Sequence, residues 1–215
     1  MKFECFDDTP APPTRRPLAP TDSTSRAAWS PGGLVNTLPQ FGSASGWVAR
    51  RGLVVTAAHV VAGETDTTVT TVSGSTLPAH AVVFDSHNDV AVLRVPGLSA
   101  RPLRLADPKY GTAVAIVGYP EDGPFDAVPG RLGSTVTVLT QDAYGRGPVR
   151  RTVTSLSGNV RHGDSGGVAV DASGAVQSTV FAARANGSGG YGIPAAVVRR
   201  DLANARVPVS TGPCT

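Results

Sequence analysis

The chain has 215 residues, of which 40% are hydrophobic and 16% charged, and its formal net charge is +3. That balance excludes a disordered polyelectrolyte and leaves room for one large β domain or two small ones. The arginines come as scattered pairs (Arg15-Arg16, Arg50-Arg51, Arg150-Arg151, Arg199-Arg200) without interleaved aromatics, so no nucleic-acid surface is expected, and no apolar run approaches the roughly 20 residues of a membrane span.

Residues 1–28 carry prolines at 10, 12, 13, 17 and 20 among threonines, serines and arginines, the composition of an extended linker. No signal-peptide pattern opens the sequence, so the targeting segment of an exported protein is expected to lie outside it. The body, 29–215, is expected to be all-β with a C-terminal helix. Strands at 46–49, 53–57, 67–72, 79–84 and 90–95 fill a first half, about 38–100. A polar, proline-bearing joint at 96–111 leads to a second half, about 112–208, with strands at 113–118, 134–140, 149–156, 167–170 and 175–182. A helix is expected over 193–207, where Pro194 suits a first turn and Ala195, Val198, Leu202 and Ala205 recur at helical spacing, followed by a tail at 209–215. Cys5 and Cys214 stand at the two extremes and read as a disulfide joining leader to tail, which implies an extracytoplasmic compartment; the alternative is two unpaired thiols.

Three places carry chemistry. The apolar run Leu53-Val54-Val55-Thr56-Ala57-Ala58 ends in His59, which puts an imidazole at a strand end facing a cleft. Asp89 precedes the apolar strand Val90-Ala91-Val92-Leu93, and a carboxylate at the mouth of a buried strand needs a donor such as an imidazole N–H. A turn-capping aspartate is the plainer alternative, and the cluster Asp85 to Asp89 lacks a second ligand group at zinc or calcium spacing. Gly163-Asp164-Ser165-Gly166-Gly167 is a loop rich in backbone donors that can raise a hydroxyl towards a carbonyl and hold the oxyanion that forms; a glycine-rich surface turn is the lesser alternative.

Chain order decides between hydrolase architectures. Gly163-x-Ser165-x-Gly167 fits the nucleophile elbow of α/β-hydrolases, but those enzymes place their histidine after the serine, and none follows Ser165. The subtilisin order needs an aspartate before His59, where Asp7, Asp8 and Asp22 lie in the proline-rich leader. The order His, Asp, Ser survives, and no metal or cofactor is expected.

Thr56-Ala57-Ala58-His59, Asn88-Asp89-Val90-Ala91 and Gly163-Asp164-Ser165-Gly166-Gly167 together resemble the trypsin-like (chymotrypsin-fold) serine proteases from about residue 38 onward. The resemblance implies two antiparallel six-stranded β-barrels with the site between them, and protein or peptide substrates. It implies Ser165 as nucleophile, His59 as base, Asp89 as the group orienting it, and the N–H groups of Gly163 and Ser165 as oxyanion hole. Phe181, Ala182 and Ala183 would form the edge that pairs with an extended substrate. The leader, the end-to-end cysteines and the tail Val209-Ser210-Thr211-Gly212-Pro213-Cys214 are similar to actinobacterial membrane-anchored periplasmic serine proteases associated in mycobacteria with acid resistance. A monomer, anchored through a segment outside this sequence, is expected.

Several positions depart from the family's pattern. No Ile-Val-Gly-Gly activation sequence is present, so Asp164 is not expected to pair with a newly cut amine, and Val168 stands where the family usually has Pro. Asn159 occupies the place of the acid that trypsins use, so an uncharged P1 side chain is expected. His162, at the pocket rim, could tune binding with acidity or be a solvated loop histidine. A binding or sensor domain of protease fold, held inactive under control of its disulfide, is the rival reading.

Overall fold

The computed structural model describes residues 34–38, 44–184 and 188–213. The leader and the Cys5–Cys214 pairing lie outside them. Among the described residues the first half contains β1 (Leu34–Leu38), β2 (Ala44–Arg50), β3 (Leu53–Thr56), β4 (Thr68–Thr71), β5 (Thr76–Pro78), β6 (His80–Asp85) and β7 (Val90–Arg94). The second contains β8 (Ala113–Gly118), β9 (Asp126–Thr140), β10 (Val149–Gly158), β11 (Val168–Val170), β12 (Val176–Ala183), β13 (Gly190–Pro194) and the helix α1 (Ala195–Asn204).

The first half is a seven-stranded sheet in the order β5-β4-β1-β2-β3-β7-β6, and the second is a six-stranded barrel in the order β10-β13-β12-β11-β8-β9. The expected pair of six-stranded barrels is corrected on the first side, where Thr76–Pro78 adds a short strand beside β4. Consecutive strands pair antiparallel through β2-β3, β6-β7, β8-β9 and β9-β10. That local connectivity is what the turn residues between them dictate.

Each sheet has its own interior, and a third apolar layer joins them. Val48, Val54, Val61, Val69 and Leu93 pack inside the first half, and Val114, Ile116, Leu132, Leu156 and Val180 inside the second. Trp47, Val55, Val90 and Val92 from the first half meet Val117, Val168, Val176 and Ile193 from the second, with Val198 and Leu202 of α1. Trp47 is fully buried in this seam, and its indole N–H donates to Thr179 Oγ1 at 3.1 Å. The joint at 96–111 stitches the same seam, with Leu103 N–H donating to Val48 O at 2.8 Å and Ala106 N–H to Val176 O at 2.9 Å.

The helix is shorter than its pattern implies because Ile193 and Pro194 belong to β13 and because Ala205, with φ -73 and ψ 78, already leaves helical backbone. Beyond α1 the chain returns to the first half. Val209 N–H donates to Ala81 O at 2.9 Å, Gly63 N–H to Thr211 O at 3.1 Å and Thr211 Oγ1 to Glu64 O at 2.9 Å.

Asp201 of α1 is buried beside Arg200, and burial, opposed by the Arg200 hydrogen bond and reinforced by Asp85, raises its carboxyl to about 6. A pKa raised on folding means the native state binds a proton more readily than the unfolded chain, so this site costs stability above about pH 6 and the cost disappears as the pH falls. Asp201→Asn should therefore raise stability at pH 7.5 by up to about 3 kcal/mol, with the gap closing below pH 4, as read from urea midpoints across pH. Trp47→Ala should cost about 3–5 kcal/mol in the same assay, whereas Trp47→Phe, which keeps most of the packing and drops the bond to Thr179, should cost about 1–2.

Candidate active site

β3 runs out into a short 3-10 turn, Ala58–Val60, that carries His59. Its neighbour β7 begins directly after Asp89, and the pairing of Thr56 with Ala91 brings the two ends level. Asp89 has φ 61, a left-handed conformation that aspartate and asparagine tolerate better than most residues. The turn before it is built by Asp85, whose Oδ1 accepts Asn88 N–H at 2.9 Å and whose Oδ2 accepts Asn88 Nδ2 at 2.7 Å. Arg200 of α1 donates to the same Oδ2 at 2.6 Å. With its oxygens so engaged, Asp85 braces the turn that aims Asp89.

Asp89 binds His59 twice. Its Oδ1 accepts the His59 backbone N–H at 2.8 Å, and Oδ2 lies 2.8 Å from the ring Nδ1. This fixes ring position and tautomer together: Nδ1 carries the proton and Nε2 is left as the basic nitrogen. The Asp89 side chain is 4% exposed and that of His59 24%. Burial opposes charge on the imidazole, but the Asp89 carboxylate and its hydrogen bond outweigh it and raise the His59 pKa. Burial pushes Asp89 upward too, yet the His59 charge and the bonds from its ring and N–H hold the carboxyl below its ordinary value.

The loop between β10 and β11 docks against this end of the first half. Ser45 of β2 donates its N–H to Ser165 O at 2.9 Å and its hydroxyl to Gly163 O at 2.8 Å, and accepts Tyr119 N–H at 2.8 Å. Thr56 Oγ1 in turn donates to Ser45 O at 2.8 Å. Asp164 is buried, and its Oδ2 accepts Arg161 N–H at 2.8 Å, a bond inside the loop where the digestive pattern uses a new N-terminus. Ser165 Oγ donates to Phe181 O at 3.4 Å. Among the described residues no hydrogen bond joins it to His59, a contact that commonly tightens only with substrate present.

The structure brings His59 and Asp89 into direct contact and seats the Ser165 loop against the strand that leads to them. Phe181, Ala182 and Ala183 lie at the end of β12, past its pairing with β11. Asn159 and His162 are both exposed, and His162 is tied in through its carbonyl, which accepts Glu121 N–H at 2.8 Å. Sequence reasoning missed Ser45 and Arg151. Arg151, a β10 residue with a side chain 1% exposed, places Nη1 3.6 Å from Asp89 Oδ2. Its trace in the sequence was a charged residue in the inward phase of the strand, two positions before buried Val153.

Gly166, beside the nucleophile candidate, admits no side chain. It has φ +82, and a Cβ there would press on Ser45 O and Thr56 Oγ1 and come within 3.1 Å of Ala57 N. Gly166→Ala should displace the Ser165 loop from β2, costing about 3 kcal/mol or more of stability and at least a hundredfold in any activity that depends on Ser165, as read by denaturation and active-site titration.

Residues 44–177 match the family described as the trypsin-like peptidase domain. Serine protease Rv3671c of Mycobacterium tuberculosis is 39% identical over 176 residues, covering 79% of this chain and 44% of the relative. The chloroplastic Protease Do-like 1 of Arabidopsis thaliana is 32% identical, covering 73% of this chain and 37% of the relative. The chain thus spans less than half the length of these curated relatives. The crystal structure of the Rv3671c protease in its active form superposes with a TM-score of 0.80 at 33% identity, covering 96% of this chain and 99% of that one. The inactive form gives 0.73 at 34% identity, covering 82% and 90%. The serine endoprotease from Yersinia pestis shares the fold alone, with a TM-score of 0.70 at 18% identity over 81% and 63%. From the family match, the relatives and the shared architecture, this chain belongs to the trypsin-like serine protease family.

Proposed function

We propose that the chain is a serine endopeptidase that cleaves peptide bonds through an acyl-enzyme, with Ser165 as nucleophile, His59 as general base and then acid, and Asp89 as the group that orients it. The observation that carries this reading is the doubly bonded His59–Asp89 pair standing beside the loop that holds Ser165. A serine hydroxyl is a weak nucleophile at neutral pH, and a base with a fixed tautomer is what activates it. In this reading the Ser165 hydroxyl exchanges its long bond to Phe181 O for one to Nε2 when substrate binds.

The N–H groups of Gly163 and Ser165 are the oxyanion donors in this reading, each worth about 3–4 kcal/mol to the transition state. Phe181 to Ala183 offers an extended substrate its backbone groups, since past Val180 no strand pairs with that side of β12 among the described residues. Asn159 and His162 would flank the P1 side chain, with an uncharged residue preferred. Extracytoplasmic action as a membrane-anchored, periplasmic protease in acid or stress resistance, with a Cys5–Cys214 disulfide, follows from the resemblance of leader and tail. The substrates are proteins or peptides.

A fluorophosphonate should label the protein in a 1:1 ratio, and Ser165→Ala should abolish the label. Asp89→Asn should lower kcat by about 10⁴-fold while leaving the fold intact, because the amide imposes the wrong tautomer on His59. Labelling of Ser165→Ala at the wild-type rate would remove this reading.

A further inference from the structure

Arg151 is a buried cation that the mechanism above does not use. It reaches across from β10 of the second half to a carboxylate belonging to the first, and its Nη1 is 3.6 Å from Asp89 Oδ2. That oxygen also binds the His59 ring, so imidazole and guanidinium share one acceptor. The guanidinium is held from two further directions. Nη2 donates to Gln141 O, and Cζ sits 5.2 Å from the centre of the Phe181 ring, whose own carbonyl receives Ser165 Oγ. Its Nε is buried without a hydrogen-bond partner, an expense that a stability role alone does not call for.

We propose that Arg151 is a positioning residue that fixes the Asp89 carboxylate and, by sharing Oδ2 with His59, sets how acidic the surroundings can become before His59 takes up a proton. The proposal rests on the peptidase reading for its consequence in catalysis, but its physical content does not. A positive charge beside Asp89 offsets part of the field that favours imidazolium, so His59 remains a free base to lower pH than the carboxylate alone would allow. Burial and the Arg151 charge both disfavour the imidazolium, against the Asp89 carboxylate and its hydrogen bond, which together still raise the His59 pKa. Other charges surround the pair. Asp142 on the β9-β10 connection and Asp85 at the end of β6 both act on Arg151, and Asp85 is itself paired with Arg200 of α1, which also binds Asp201. None of these replaces Arg151 at Asp89 Oδ2.

The test is an NMR titration of the His59 imidazole in wild type, Arg151→Gln and Arg151→Lys, each first checked for folding by circular dichroism. The neutral variant should titrate at higher pH than wild type, and the lysine variant should return towards it. The fluorophosphonate labelling rate of Arg151→Gln should fall several-fold on the acid side. A His59 midpoint identical in wild type and folded Arg151→Gln would overturn the proposal. Should Arg151→Gln fail to fold, Arg151→Met, which removes the charge but keeps a long apolar stem against the Phe181 ring, is titrated instead, and an unmoved midpoint there overturns it equally. The titration does not require Ser165 to react. A displaced midpoint in a protein that takes up no fluorophosphonate would therefore uphold Arg151 and remove the peptidase reading.

Discussion

Everything in the candidate site depends on one buried seam between two sheets. His59 and Asp89 come from the first half and Ser165 from the second, so no arrangement of these groups exists unless the halves hold a fixed separation. Ser45 is where that separation is set. Fully buried, it bonds through its N–H, hydroxyl and carbonyl to Ser165, Gly163, Tyr119 and Thr56. Trp47, two residues on, fills the apolar side of the same seam, where a rigid core lets a few tenths of an ångström matter.

The electrostatics are layered on that seam in the same way. A lone carboxylate buried as deeply as Asp89 would bind a proton, and the two bonds from His59 with the guanidinium of Arg151 are what keep it charged. Each partner belongs to a different structural unit: a turn after β3, a turn before β7, and the interior of β10. Asp164 is the contrast: burial raises its carboxyl, against the N–H and charge of Arg161 and with the carboxylates of Asp126 and Glu121 adding to the rise.

Much of this was legible in the sequence because the informative residues are local. The strand-to-histidine junction at Thr56 to His59, the aspartate before Val90 and the glycine-flanked Ser165 each carry their meaning within a few positions. Leu34–Leu38, β1, was missed although its residues suit a strand, whereas two other stretches have local chemistry that argues against one. Gly190–Pro194 is rich in glycine and ends in proline, yet it forms β13 because its glycines let neighbouring backbone and Val160 approach closely. β9 begins at Asp126 although Pro129, Gly130 and Gly133 read as turn residues, and Gly130 is required because a Cβ would lie 2.6 Å from Ser157 O. Ser45 and Arg151 were illegible for a different reason. Their importance comes from partners 74 to 120 positions away, or, for Arg151, from a carboxylate on the opposite half, and a single sequence does not encode that proximity in any nearby pattern.

The return of the chain after α1 has a consequence for how the protein comes into being. Val209 and Thr211, beyond α1, form hydrogen bonds with Ala81, Gly63 and Glu64 of the first half. A ribosome extruding this chain from its N-terminus releases the first half before Val209 and Thr211 exist, so these contacts close only after the second half has been made. The stretch just past His59 is therefore tied down later than the strands around it, which couples the order of synthesis to the order of folding.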